Sequence, residues 1–300
     1  MLSVAQHEAV TWEAACPLQI LAGPGSGKTR VLTSRVAWLV RDTATPIAPA
    51  RCVVVTFTNR AANEMRARLE TMIGADCTRQ LVLGTFHAVC ARFLRRWGGP
   101  CLGLDPRFTI ADTDDARRLV RDMDRDAHVE HTLSAISRAK AHGWTPDDLR
   151  AASKHAPGSP MHAEHLALCR TYAAYQQRLQ ESHALDFDDL LMLGVRLFRE
   201  HPELATHIDH VLVDEFQDTN AVQYELLCRL SRHVSVVGDP DQSIYSWRHA
   251  DMRHIERMHL DFPGLHRVLL EENYRSTPQI LQAALSVMQQ DPHRIPKGLY

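Results

Sequence analysis

The 300-residue sequence contains no C-x-x-C pair; its seven cysteines, Cys16, Cys52, Cys77, Cys90, Cys101, Cys169 and Cys228, stand apart from one another. That pattern suggests neither a disulfide framework nor a zinc site, and buried free thiols are expected instead. Long apolar runs are also missing. The longest, such as VVVTF at 53–57 and VSVVG at 234–238, fall far short of the roughly 20 residues a membrane helix needs, so no span is expected. The opening residues, MLSVAQHEAVTWEAA, carry neither a basic leader nor an apolar signal core, which makes the cytoplasm the expected compartment. A strong net charge is absent too: at −2, the chain has no uniformly basic coat, so any phosphate-binding surface has to be a local groove. There is no internal repeat and no low-complexity tract. Among the 18 histidines, only His162 and His165 have ligand-like spacing on a predicted helix. Two histidines at this spacing are by themselves a weak pattern, and they read as solvated surface residues rather than a metal pair.

At 45% hydrophobic, the chain is long enough for one large or two modest domains, each with its own core. Short β-branched runs recur: LQILA (18–22), CVVVTF (52–57), QLVLGTF (80–86), HVLVDEF (210–216), VSVVGD (234–239) and HRVLLEEN (266–273). Continuous apolar strands of this kind belong to a sheet covered on both faces. Helical patterns follow most of them, for example KTRVLTSRVAWLVRD and NRAANEMRARLETMIG, and the alternation predicts an α/β fold with a parallel sheet. From about residue 88 to 190 the strands give way to helical spacing, read as an all-helical inserted subdomain with an exposed loop at HAPGSP (155–160). A further helix is predicted at PQILQAALSVMQQ.

The segment Ala22-Gly23-Pro24-Gly25-Ser26-Gly27-Lys28-Thr29 lies between an apolar strand and an amphipathic helix, where a P-loop belongs. Its glycines let backbone N–H groups turn inward around phosphate oxygens, Lys28 neutralises the β/γ charge, and the Thr29 hydroxyl can hold Mg²⁺. Ala22 departs from the common pattern, which has glycine there. Such a loop needs an acidic partner, and Val211-Leu212-Val213-Asp214-Glu215 supplies one at a strand end. Asp214 is assigned to Mg²⁺ and Glu215 to the water that attacks the γ-phosphate. Alone, an apolar run ending in Asp-Glu reads more simply as a cap or surface feature; beside a P-loop it becomes the candidate base.

VDEFQDTN at 213–220 and VGDPDQSIYSWRHAD at 237–251 resemble two signature motifs of the UvrD/Rep/PcrA-like superfamily 1 DNA helicases. AGPGSGKTR (22–30), VVTFTNRAANEM (54–65), GTFHA (84–88), LDFDDLL (185–191) and EENYRS (271–276) agree in order, so the resemblance spans essentially the whole chain. It implies a RecA-like motor domain in two parts, residues 1–88 and 188–277, around an inserted subdomain at 89–187. Residues 278–300 would then begin a second motor domain. It implies further that Gln6 reads the adenine edge, that Arg30 and Tyr274 sandwich the ring, and that Gln242 and Arg275 meet the γ-phosphate. Single-stranded DNA, or a single-strand/duplex junction, would be held by Thr56, Phe57 and Asn59, by Thr85, Phe86 and His87, and by Tyr245, Trp247 and Arg248. These are the aromatic faces and polar groups that such binding uses. Phe57 and Phe86 are also the aromatics most suited to internal packing. Ser3, where the family usually has Asn, and His249, where it normally has Gly, are departures; the first weakens the segment but leaves Gln6 in place, and the second would strain its loop if that position needs positive φ.

The resemblance makes the expected activity that of an ATP-dependent 3′→5′ DNA helicase found with the nucleoid. The arginine that crosses from the second motor domain has no counterpart before Tyr300, so a missing domain or a partner has to supply it. The chain by itself is expected to bind ATP and Mg²⁺, to bind single-stranded DNA weakly, and to hydrolyse ATP slowly or not at all. The alternatives are a freestanding nucleotide-gated DNA-binding module acting with a partner, and a P-loop ATPase without nucleic acid.

Overall fold

The computed structural model describes residues 2–123, 128–152, 160–231, 233–243 and 251–290, together with Gly298. Tyr245, Trp247, Arg248 and His249 therefore lie outside the described residues, as do most of HAPGSP and of RIPKGLY. Two compact units are present, one of residues 1–89, 202–219 and 227–300, the other of residues 90–201 and 220–226.

Eight strands occur among the described residues: Leu18–Ala22 (β1), Cys52–Thr56 (β2), Val82–Thr85 (β3), Thr109–Ile110 (β4), Ala184–Leu185 (β5), His210–Val213 (β6), Val234–Gly238 (β7) and His266–Leu270 (β8). Six of them form the sheet of the first unit, in the order β3-β2-β6-β7-β1-β8, parallel throughout. Each lies on one of the six apolar runs read from the sequence. β1, β2, β6 and β7 are buried at every residue, as a sheet covered on both faces requires. The edge strand β8 is buried only at alternate positions, Val268 and Leu270. The chain is therefore a mixed α/β protein built on a six-stranded parallel sheet, consistent with the RecA-like fold that the resemblance implies.

Local chemistry accounts for the flanking helices. Val4–Thr11 (α1) starts at Ser3, whose hydroxyl accepts from Gln6 N–H while the Gln6 side chain accepts from Ser3 N–H, a complete capping box. Serine caps a helix about as well as asparagine, so this departure keeps the N-cap and leaves Gln6 in place. Lys28–Ala37 (α2) follows the glycine-rich loop and widens into a π-helical turn at Trp38–Asp42. Asn59–Ile73 (α3) is capped by Thr58, buries Ala62, Met65, Leu69 and Ile73 along one stripe, and stops at Gly74, whose φ is +85°.

The second unit is not all-helical. β4 and β5 pair in parallel within it, each only two residues long, too short to leave a period in the sequence. Its core gathers Val120, Ile136, Leu149, Cys169, Tyr172, Tyr175 and Leu179. The return to the sheet unit falls at Pro202 rather than at 188, and residues 220–226 join the helical unit. The helix Phe187–Glu200 stays with that unit for two reasons. Its cap Asp186 and its first-turn Asp189 both pair with buried Lys140, each at 2.7 Å, and Phe198 packs edge-on to Phe93 with ring centres 5.4 Å apart. All seven cysteines are free, but only Cys52, Cys90 and Cys169 are buried; Cys228 is exposed, so the expectation of buried thiols holds in part. The His165 ring lies 2.8 Å from the Leu149 carbonyl, which assigns it a local packing role. No described helix is long and apolar enough to cross a membrane.

Candidate functional site

Because the six strands are parallel, everything that follows a strand emerges on one edge of the sheet, the edge where open α/β sheets take their ligands. The loop after β1 carries residues 23–27, β6 leads to Asp214 and Glu215, β7 to Asp239 and Gln242, and β8 to residues 271–275. β2 ends at Thr56 and leads to Phe57 and Asn59, and β3 ends at Thr85 and leads to Phe86 and His87; these are the two threonine loops.

The glycine-rich loop is held by backbone. Gly23 N–H donates to the Leu270 carbonyl (2.9 Å), and both Ser26 N–H (3.3 Å) and Ser26 Oγ (2.7 Å) donate to the Gly23 carbonyl. Gly25 and Gly27 have φ of +70° and +85°, open to glycine and costly for other residues. A Cβ on Gly25 would lie 2.7 Å from Arg275 Cβ, so the loop and the segment after β8 can meet only through glycine. They are joined there by Tyr274 N–H to the Gly25 carbonyl (3.0 Å) and by Asn273 Nδ2 to the Pro24 carbonyl (2.6 Å). Ala22 sits inside β1, paired with Leu270, where no positive φ is needed.

Lys28 opens α2 and reaches back across the sheet edge. Its Nζ is 3.0 Å from Glu215 Oε2 and donates to Gln242 Oε1 at 3.4 Å. Glu215 has φ of +49°, a conformation unusual outside glycine that aims its side chain at the lysine. Asp214 is buried beside it, with Oδ1 accepting from Glu215 N–H at 3.0 Å. Burial, and next the charge of Glu215, push the Asp214 carboxyl up to about 7; Lys28 offsets only part of this. Asp218 is pushed up to about 6 by the same two causes.

A second layer went unassigned in the sequence. Gln217 Nε2 donates to Glu215 Oε2 (3.0 Å), its Oε1 accepts from Asp239 N–H (3.0 Å), and a Cβ on Gly238 would lie 2.7 Å from that oxygen. Asp239, fully buried, accepts from Gln242 Nε2 at 2.6 Å. Gln217, Asp239 and Asn273 all stand inside motifs quoted for the resemblance, and that proximity was the available signal.

Gln6 is only 3% exposed, and its amide is already engaged: Oε1 closes the capping box and Nε2 donates to the Ser26 carbonyl at 2.9 Å. One amide hydrogen and one carbonyl lone pair remain. Next to it lies a cavity of about 500 Å³ lined by Ser3, Val4, Gln6, Ser26, Leu270 and Tyr274, among others. Tyr274 and Arg30 are exposed, the Tyr274 hydroxyl donating to Glu272 Oε2 at 2.6 Å.

In the threonine loops, Asn59 is exposed while Phe57, Thr85 and His87 are half-buried. Thr56 is fully buried with its hydroxyl on the Thr58 carbonyl, and Phe86 is buried edge-on to Phe57 with centroids 5.6 Å apart. Neither Thr56 nor Phe86 presents its side chain to a ligand here. Thr85 instead caps the helix that follows, its Oγ1 accepting from Ala88 N–H.

Residues 2–263 match the family model described as the UvrD/REP helicase N-terminal domain. The chain is 42% identical over 298 residues to the ATP-dependent DNA helicase PcrA of Leuconostoc citreum, an overlap covering 95% of this chain and 38% of that protein. It is 39% identical over 298 residues to the PcrA helicases of Staphylococcus epidermidis and Staphylococcus aureus, covering 95% of this chain and 39% of each. The chain thus spans less than two fifths of the length of these relatives. Over most of its own length, this chain belongs to the UvrD/REP helicase N-terminal domain family.

Proposed function

We propose that the chain is the ATP-binding and single-stranded-DNA-binding first motor domain of a 3′→5′ DNA helicase or translocase. The convergence of Glu215 and Gln242 on Lys28 at the carboxyl edge of the sheet carries the reading. A lysine on a helix N-terminus behind a positive-φ glycine loop suits a polyphosphate, and the cavity beside Gln6 has room for a base. The residues also fit Mg²⁺, since a buried carboxyl pushed up to about 7 beside a second carboxylate is what a bound cation relieves. Asp214 and Thr29 are its proposed holders. Bound there, the ion would supply charge neutralisation for the terminal phosphates.

Lys28 exchanges Glu215 for the β/γ-phosphate oxygens, which frees Glu215 to accept the proton of the attacking water. Gln242, between Lys28 and Asp239, registers the γ-phosphate, and Arg275 meets it from the β8 side. Arg30 and Tyr274 take the two faces of the base, which Gln6 contacts by its edge. Asn59, Phe57, Thr85 and His87, with Tyr245, Trp247 and Arg248, form the proposed strand-binding loops. A second motor domain or a partner supplies the crossing arginine, without which hydrolysis is slow, and the working compartment is the cytoplasm, on the nucleoid.

ATP turnover and oligo-dT binding by the purified chain test this, with Lys28→Ala and Glu215→Gln as controls. The expected result is nucleotide binding, weak DNA binding and slow turnover. Failure to bind nucleotide overturns the reading, and vigorous DNA-stimulated turnover overturns the need for a partner.

A further inference from the structure

Arg35 lies on α2, seven residues beyond Lys28, and is fully buried. No carboxylate stands within ion-pair distance of it among the described residues. Its Nη1 instead donates to the carbonyls of Ala9 (3.2 Å), Val10 (3.1 Å) and Trp12 (2.9 Å), the last turn of α1 and the residue that ends it. Its Nε donates to Ser235 Oγ (2.7 Å), whose hydroxyl faces His210 Nε2, also at 2.7 Å. Burial and the nearby guanidinium hold the His210 ring well below the ordinary imidazole range, so it stays neutral and shares one hydrogen bond with Ser235. The indole of Trp38, 5.8 Å from the guanidinium carbon, is the other favourable neighbour.

An apolar side chain would fill this space without the cost of burying a charge. The guanidinium adds a fixed link. α1 is only eight residues long, too short to hold its shape unaided, and its orphan C-terminal carbonyls need donors. Arg35 meets that end, where the helix dipole also favours a cation. The other end is held by Gln6, through Ser26 of the phosphate loop. Both ends of α1 are thus fastened to one continuous segment, the loop and helix that carry Lys28.

We propose that Arg35 is a positioning residue for the nucleotide site: by capping α1 from within, it sets the Gln6 amide against the phosphate loop and so shapes the base subsite. This rests on the ATP-binding reading above. Its consequence is a loss that falls mainly on the base, since the glycine loop is also held by the Leu270 carbonyl and by Asn273, and Lys28 stands on α2.

The test is competitive binding of ATP, GTP and inorganic tripolyphosphate to the full chain, using wild type, Arg35→Met, Arg35→Lys, Ser235→Ala, Gln6→Ala and the Gln6→Ala/Arg35→Met double variant. Arg35→Met is expected to weaken ATP about tenfold, the size of losing a charged hydrogen-bond set, with tripolyphosphate changed less than about twofold. The ATP/GTP preference falls accordingly. Arg35→Lys retains part of that preference, and the double variant is no worse than Gln6→Ala alone, as expected for two residues acting through one contact. If Arg35→Met does not fold, Ser235→Ala carries the test, with an expected loss of about threefold for ATP only. An unchanged ATP/GTP ratio in the folded variants, or a parallel loss of ATP and tripolyphosphate, overturns the inference. Wild type binding neither ATP nor tripolyphosphate overturns the ATP-binding reading itself.

Discussion

Lys28 Nζ and Glu215 Oε2 stand 3.0 Å apart, although 187 positions separate them in sequence and their strands, β1 and β6, are not neighbours in the sheet. The pair leaves Lys28 neutralised by the carboxylate proposed to act as base. ATP therefore has to break an ion pair before it gains one. Lys28→Ala is expected to weaken ATP by at least about tenfold and to reduce turnover to background. Glu215→Gln should bind ATP at least as well as wild type while turnover is lost. Fluorescent-nucleotide titration and phosphate release measure the two; equal loss of binding in both variants would contradict the exchange.

Ser3 offers a test of local structure. Ser3→Ala removes the cap of α1 and is expected to cost about 1 kcal/mol, whereas Ser3→Asn should fall within about 0.5 kcal/mol of wild type. Urea denaturation monitored by circular dichroism distinguishes them, and a stabilisation well above that from Ser3→Asn would mean that the capping box is not what holds this end.

Thr56 and Asn59 separate packing from DNA contact within one loop. Thr56→Val removes an internal bond to the Thr58 carbonyl, so it should lower stability by about 1 kcal/mol and leave oligo-dT affinity unchanged. Asn59→Ala, at an exposed position, should leave stability unchanged and weaken oligo-dT severalfold. Fluorescence anisotropy with labelled oligo-dT reads both.

Asp188 gives the helical unit a pH dependence. Burial, and next the charge of Asp186, push its carboxyl from the usual range up to about 6, with Ser137 and Lys140 opposing. An acid whose folded value is raised binds more protons folded than unfolded, so stability falls as pH rises from about 4 to about 6 and then levels off. The loss is on the order of 2–3 kcal/mol. Asp188→Asn should recover much of it at pH 7.5 and little at pH 4.5; equal effects at the two values would rule this origin out.

The threonine loops show how far residue type alone could be read. Phe57 and Phe86 carried both a stacking and a packing reading, and the 5.6 Å edge-on contact with Phe86 buried favours packing for Phe86. Thr56 and Phe57 are adjacent in one motif, yet the first is sealed inside and the second half-open, because side chains alternate at a strand end and the chain turns there. The two-residue strands β4 and β5 were illegible for want of length, and the boundary at Pro202 because Lys140, which ties Phe187–Glu200 to the helical unit, is remote in sequence.

The sequence by itself determined what depends on neighbours along the chain. The six apolar runs, the glycine loop between strand and helix, and the acidic pair at the end of β6 all follow from periodicity, backbone permissiveness and local chemistry. Tertiary structure alone decided what depends on strand order and burial. It brings Glu215 and Gln242 to Lys28, closes Gln217 onto Asp239, and pushes the Asp214 carboxyl up. It also turns Arg35, which reads as one more polar residue on an amphipathic helix, into a buried clasp on α1. The reason is that electrostatic and hydrogen-bond energies are set by distances in space and by exclusion of water, and neither is a property of a local window of sequence.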